Sequence, residues 1–116
     1  MNIREIVALL EANAIAGGDH LEEFNVENCF SADLMSDVLA KSHFNGILLT
    51  GLTNIQVIRT ADIADIRAVF IVRGKNPEQP AVDLARKKGI LLFSTKKSLF
   101  EASGILYEKG LRAVGK

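Results

Sequence analysis

The chain has 116 residues, 14 basic against 14 acidic, with no tryptophan, one tyrosine and one cysteine. A neutral chain with no basic cluster beyond Arg86-Lys87-Lys88 argues against nucleic acid, and a single tyrosine without tryptophan argues against a base-stacking platform. Its 48% hydrophobic and 24% charged residues are an ordinary globular composition at one-domain size, 1–116.

The chain opens with Ile3, Ile6, Val7 and Leu10 at helical spacing, so residues 2–12 read as an amphipathic helix stopped at Asn13. Arg4, Glu5 and Glu11 interrupt its apolar residues, which speaks against a signal peptide, and no stretch reaches the length of a transmembrane helix. Cys29 has no partner for an internal disulfide, which fits a reducing cytoplasm. Ala14-Ile15-Ala16 reads as a short strand before a turn at Gly17-Gly18-Asp19. Residues 24–30, with Phe24, Val26 and Phe30 alternating against polar neighbours, read as a strand nearer the sheet edge. Ser31-Ala32-Asp33 signals a helix start, and Leu34, Met35, Val38 and Leu39 give that helix an apolar face to about Lys41. His43-Phe44-Asn45-Gly46 turns the chain into its central segment.

Residues 46–95 read as strand, helix, strand, helix, strand. Ile47-Leu48-Leu49-Thr50, Ala68-Val69-Phe70-Ile71-Val72 and Gly89-Ile90-Leu91-Leu92-Phe93 are apolar runs without alternation, the pattern of parallel strands covered on both faces. Residues 53–66 and 78–88 are long enough for the crossover helices such strands need. Thr53 or Asn54 caps the first, with Ile55, Ile58 and Ile63 inward. Pro77 or Pro80 suits the first turn of the second, Ala81, Leu84 and Ala85 face inward, and Gly89 sits where a C-terminal glycine belongs. Ser94 or Thr95 caps a last helix with Leu99, Phe100, Ser103, Leu106 and Tyr107 on one side, ended by Gly110 before a loose tail at 114–116. The fold class is α/β, a three-layer sandwich with a central, mainly parallel sheet of about four to five strands and helices on both faces.

In open α/β sheets ligands collect beyond the carboxyl ends of the strands. Four segments converge there: Ser31-Ala32-Asp33, Thr50-Gly51-Leu52-Thr53-Asn54, Arg73-Gly74-Lys75 and Ser94-Thr95-Lys96. They offer hydroxyls, two glycines, three cations and helix N-termini, chemistry suited to a phosphate or other anion; the alternative is that the hydroxyls are helix caps and the glycines turn residues. The candidate ligand-binding residues are therefore Thr50, Gly51, Thr53, Asn54, Arg73, Gly74, Lys75, Ser94, Thr95, Ser31 and Asp33. Neither a Gly-x-x-x-x-Gly-Lys-Ser/Thr nor a Gly-x-Gly-x-x-Gly motif occurs. Cys29, His20 and His43 are scattered singly, without metal-ligand spacing, and read as an interior cysteine and two loop histidines; no metal or other cofactor is expected. A Cys29 nucleophile would need thiolate stabilisation from the helix starting near Ser31, with His43 as base. Asp33 and Asp37 lie four apart on one predicted helix and could form a carboxylate pair; the alternative is that Asp33 serves the N-terminus and Asp37 is solvated.

Ser31-Ala32-Asp33-Leu34-Met35-Ser36-Asp37-Val38 is similar to the D-L-L-S-D-V-M segment of the DRTGG domain family. Thr53-Asn54-Ile55, the run from Ala68 to Gly74, and the run from Leu99 to Tyr107 before Gly110-Leu111 extend the resemblance over nearly the whole chain. The family is a small α/β module related to the N-terminal domain of HPr kinase/phosphorylase, also found in some phosphotransacetylases and between the CBS domains of certain pyrophosphatases. The naming motif should lie just before Ser31; Leu21-Glu22-Glu23-Phe24-Asn25-Val26-Glu27-Asn28 lacks it, so no role attached to that motif is carried over. The resemblance implies a stand-alone, non-catalytic regulatory or ligand-sensing domain, for which a homodimer is expected; the strand-end chemistry adds a nucleotide or other phosphorylated metabolite as its expected ligand. The alternative it leaves open is an accessory protein acting through a partner in a signalling or redox system such as a hydrogenase, with the first and last helices as contact surfaces.

Overall fold

The computed structural model describes residues 1–17, 24–41 and 45–114. His20, His43 and the turns expected at Gly18-Asp19 and His43-Phe44 lie outside the described residues. The elements run α1 (Ile3–Leu9), β1 (Asn13–Ala16), β2 (Asn28–Ser31), α2 (Met35–Leu39), β3 (Gly46–Thr50), α3 (Ile55–Ala64), β4 (Ala68–Ile71), α4 (Gln79–Lys88), β5 (Leu91–Ser94), α5 (Leu99–Glu108) and β6 (Arg112–Ala113). One sheet takes the order β1-β5-β4-β3-β2-β6. All neighbours are parallel except β1, which runs antiparallel to β5.

The three central strands are the apolar runs of the sequence, and their burial explains why those runs do not alternate. Every residue of β3 and β4 is buried. Leu48, Val69, Ile71 and Leu92 pack on one face with Met35, Val38, Val57, Ile58, Ala61, Ala81 and Ala85, which come from α2, α3 and α4. Ile47, Leu49, Ala68, Phe70 and Phe93 pack on the other with Ile3, Ile6, Leu10, Ala102 and Leu106, from α1, α5 and their ends. Alternate residues along each strand thus feed two separate cores, the requirement of a three-layer sandwich. Phe70 and Phe93 are register partners with ring centroids 4.7 Å apart. Truncating a fully buried phenylalanine to alanine costs roughly 3–5 kcal/mol, so Phe70→Ala or Phe93→Ala should strongly destabilise this face.

Helix boundaries follow caps more than periodicity. Asn54 caps α3 through its side chain, which accepts from the Gln56 N–H. Pro80 sits in the first turn of α4, and Gly89 ends it at φ 70°, a conformation that favours glycine. For α5 the expectation fails: its cap is Ser98, not Ser94 or Thr95, and Ser98 and Glu101 form a reciprocal capping box. The faces differ as well. Ile63 is exposed, and on α5 Ala102 and Leu106 are buried while Phe100 and Tyr107 are 88% and 64% exposed. The strand expected at 24–30 shrinks to Asn28–Ser31, with Asn25 joined to Asn2 by an isolated bridge. A sixth strand, absent from the sequence reading, adds Arg112–Ala113 beyond β2, so β2 lies one strand in from the edge.

Candidate functional site

The chain leaves β3 and β4 by helices on one face and leaves β5 by α5 on the other. Connections that diverge to opposite faces, as those leaving β4 and β5 do, mark the strand ends beside which open α/β sheets hold ligands. Here the loop that follows β4 is bonded to the chain that follows β5. The Arg73 N–H donates to Lys97 O at 2.8 Å and the Gly74 N–H to Thr95 O at 2.9 Å. Both loop residues are left-handed, Arg73 at φ 64° and Gly74 at φ 67°. For arginine that conformation is strained, costing on the order of 1–2 kcal/mol.

The groups that gather beside this loop centre on Gly51. Asp33 Oδ1 accepts from the Gly51 N–H at 2.7 Å and from Thr50 Oγ1 at 3.0 Å. Lys75 Nζ donates to Gly51 O at 3.2 Å. A Cβ placed on Gly51 would lie 3.3 Å from Arg73 Nη2 and 3.5 and 3.6 Å from the two Asp33 carboxylate oxygens, so the glycine sits between the two groups. Among the described residues the Arg73 guanidinium has no hydrogen-bond or ion-pair partner, and neither has Asp33 Oδ2. A cation, a free acceptor and a lysine ammonium thus surround the end of β3.

Two buried threonines hold the strand ends by the same pair of bonds. Thr50 Oγ1 accepts from the Leu52 N–H at 3.2 Å while donating to Asp33; Thr95 Oγ1 accepts from the Lys97 N–H at 3.2 Å while donating to Leu10 O at 2.6 Å. Thr50 is 0% and Thr95 1% exposed. These hydroxyls cap no helix; they lock the turns that leave β3 and β5. Thr53 offers its carbonyl to the Glu78 N–H, and Asn54 is occupied as a cap. Asp33 precedes α2, whose N-cap is Leu34 with no side-chain bond, so it is no capping residue. Asp37 stands exposed in the first turn of α2, while the Asp33 carboxylate is held by Thr50 and Gly51. Ser94 is half-buried at the end of β5, opposite Asn13.

Ser31 points elsewhere. Its hydroxyl meets Ser103 Oγ on α5 at 2.7 Å, and Cys29 Sγ lies 3.8 Å from it. These three side chains lie along a mostly apolar groove of about 410 Å³ between α5 and the β2–β6 edge, flanked by Phe100, Tyr107 and Arg112. The Arg112 guanidinium stacks over the Tyr107 ring at 4.6 Å. Burial pushes the Cys29 thiol up to about 11, against a smaller lowering by Ser31, which is the reverse of a stabilised thiolate. Sequence reasoning missed this groove, though a signal existed: apolar side chains at 99, 100, 102, 105, 106 and 107 are too many for one buried stripe. Among the described residues no cluster of His, Cys, Asp and Glu is arranged to hold a metal ion, and no helix is long and apolar enough to cross a membrane.

No protein-family model matches the chain, and none of the curated proteins does. Among solved structures it resembles the CBS and DRTGG domains of the regulatory region of Clostridium perfringens pyrophosphatase, complexed with the activator diadenosine tetraphosphate. The TM-score is 0.71 at 19% sequence identity, over 90% of this chain and 45% of that one. The chain thus spans less than half of that structure's length, and the likeness is one of fold: a mixed α/β sandwich shared with a regulatory region of an enzyme.

Proposed function

We propose that this protein is a non-catalytic, ligand-sensing regulatory domain that binds a nucleotide or another phosphorylated metabolite at the carboxyl ends of its strands. The observation that carries the reading is Arg73: an arginine in a strained left-handed turn, its guanidinium unpaired among the described residues and set against Gly51 beside Lys75. An arginine in this conformation whose side chain makes no structural bond leaves its guanidinium available to a ligand. The ligand's anion meets Arg73 and Lys75, with Thr53, Gly74 and Ser94 on the neighbouring strand-end segments; Thr50 and Thr95 hold the turns there. That a solved regulatory region of the same fold holds a dinucleotide activator supports the reading. The experiment is a thermal-shift screen with nucleotides and phosphorylated metabolites. A ligand at about a hundred times its dissociation constant adds about 2.7 kcal/mol to folded-state stability. Arg73→Glu and Lys75→Glu should each abolish the rise; an undiminished rise in both variants removes the site.

A second reading has its own observation. Phe100 and Tyr107, two turns apart on α5, are exposed beside an apolar groove that continues onto the exposed edge strand β6. Such a surface fits a protein contact, and a second copy of the chain is the simplest occupant. Sedimentation of the wild type and of a Phe100→Asp variant tests it: a dimer that dissociates on substitution supports the contact, and a wild-type monomer at high concentration refutes self-association.

A further inference from the structure

We infer that the strand-end site selects organic phosphates that carry a hydroxyl group over bare inorganic phosphates, and that Asp33 Oδ2 is the selecting acceptor. This rests on the proposed anion site and names the class of ligand it takes. The argument begins with the asymmetry of the Asp33 carboxylate. One oxygen is fully committed: Oδ1 accepts from the Gly51 amide at 2.7 Å and from Thr50 Oγ1 at 3.0 Å. The other, Oδ2, accepts from nothing among the described residues; the residue is exposed, so a ligand can reach it, and Oδ2 lies 3.6 Å from the position a Gly51 Cβ would take. The two bonds on Oδ1 anchor that oxygen at the end of β3 and leave Oδ2 beside it for another donor.

What it is presented beside decides the chemistry. The Arg73 guanidinium approaches the same point to 3.3 Å, and Lys75 Nζ is tied to the carbonyl of the same glycine. A site of two cations alone would welcome any phosphate. A carboxylate placed among them repels a bare anion and leaves its energy to be recovered only by a ligand that brings a donor to Oδ2. An alcohol hydroxyl within a few ångströms of a phosphate, as in a sugar phosphate or a nucleotide's ribose, supplies that donor while its phosphate meets Arg73 and Lys75. A ligand that lacks the hydroxyl leaves the acceptor facing an anion, and discrimination built on such a group is steep because the mismatch is penalised twice.

Asp33→Asn isolates the claim. Asparagine keeps a carbonyl oxygen for the Gly51 and Thr50 donors and replaces only the free acceptor, by an NH2 donor. Binding of AMP, 2′,3′-dideoxy-AMP and inorganic pyrophosphate is measured by titration calorimetry. The wild type should prefer AMP to the other two by at least tenfold, and Asp33→Asn should collapse that preference while gaining affinity for pyrophosphate. The wild-type comparison of AMP with its dideoxy analogue needs no variant, so it stands even if Asp33→Asn folds poorly. Equal wild-type affinity for AMP and the dideoxy analogue, with binding still lost in Arg73→Glu, overturns the selection and leaves the anion site standing. Tighter binding of all three probes by Asp33→Asn makes Asp33 a mere repellent and also overturns it. No wild-type binding of any of the three overturns both this inference and the anion site.

Discussion

If Arg73 is held at φ 64° for the sake of its guanidinium, removing the side chain should leave the fold unharmed or improve it. The left-handed conformation costs an L-residue on the order of 1–2 kcal/mol, and glycine is free of that cost. Against this, glycine gives the unfolded chain more freedom, worth roughly 0.5–1 kcal/mol. The backbone bond from residue 73 to Lys97 O at 2.8 Å is untouched by the substitution, and among the described residues the guanidinium has no partner to lose. The balance for Arg73→Gly is a gain of about 0.5–1 kcal/mol, or a rise of roughly 2–4 °C in melting temperature for a domain of this size. Arg73→Ala keeps the strained φ and should gain nothing. Thermal unfolding followed by circular dichroism reads both, and the same samples titrated with a phosphorylated ligand should show binding lost in each. A fall of more than about 4 °C in Arg73→Gly would refute the reasoning, because it would mean the arginine holds the turn together.

The remaining predictions concern the supports of the site. Thr95→Val removes a fully buried hydroxyl that donates to Leu10 O at 2.6 Å and accepts from the Lys97 N–H; with a buried acceptor stranded, it should cost about 2 kcal/mol in a denaturant melt. Thr50→Val should cost less, since the Asp33 carboxylate it abandons is exposed and water replaces the bond; equal losses would contradict the burial argument. Cys29 ionises at about 11 when folded against an ordinary 9.0, so its protonated form contributes stability that is complete below pH 9 and is lost as pH rises from about 9 to about 11. A Cys29→Ala protein should show a flatter stability profile over that window, and alkylation of wild-type Cys29 at pH 8 should be much slower than that of free cysteine. Ser98→Ala removes the α5 cap and should cost about 1 kcal/mol. The Glu101 carboxyl is held below its usual range, first by the Ser98 backbone N–H and then by the Ser98 side chain, so the contribution of this box is present above the unfolded carboxylate range and fades as pH falls through the folded one.

The central strands were legible because burial on both faces leaves its trace in every residue: no polar side chain survives in 47–49 or 68–71. β6 was not, because Arg112 and Ala113 are both exposed and pair with β2 through the backbone and the Asn28 side chain, which donates to Ala113 O at 3.0 Å. Nothing in their side chains records that. The start of α5 was misplaced among three hydroxyl residues within five positions, and Glu101 three residues after Ser98 was the distinguishing sign. At the site, the sequence identified the loops that meet at the strand ends but not the state of their hydroxyls. Thr50 and Thr95 are spent on neighbouring turns, and Ser31 projects toward α5 while Asp33, two residues on, reaches Gly51. The second bond of each threonine, to a residue 17 or 85 positions away in the chain, lies beyond the reach of local spacing.

The return of the chain to β2 also bears on which parts of the sheet open first. β2 through β5 are laid down side by side in sequence, each new strand pairing with the one before it. β6 instead joins Asn28 and Cys29 across a gap of some eighty residues, after α5 has crossed the sheet from β5. A pairing so distant gains nothing until the sheet it docks on exists, because the loop closure it requires is unrewarded before then. Arg112 and Ala113, exposed at the edge of the sheet, should therefore be among the first residues to come away, as should the equally distant pairing of β1 with β5, and amide exchange should find the β6 backbone opening well before β3 and β4 do.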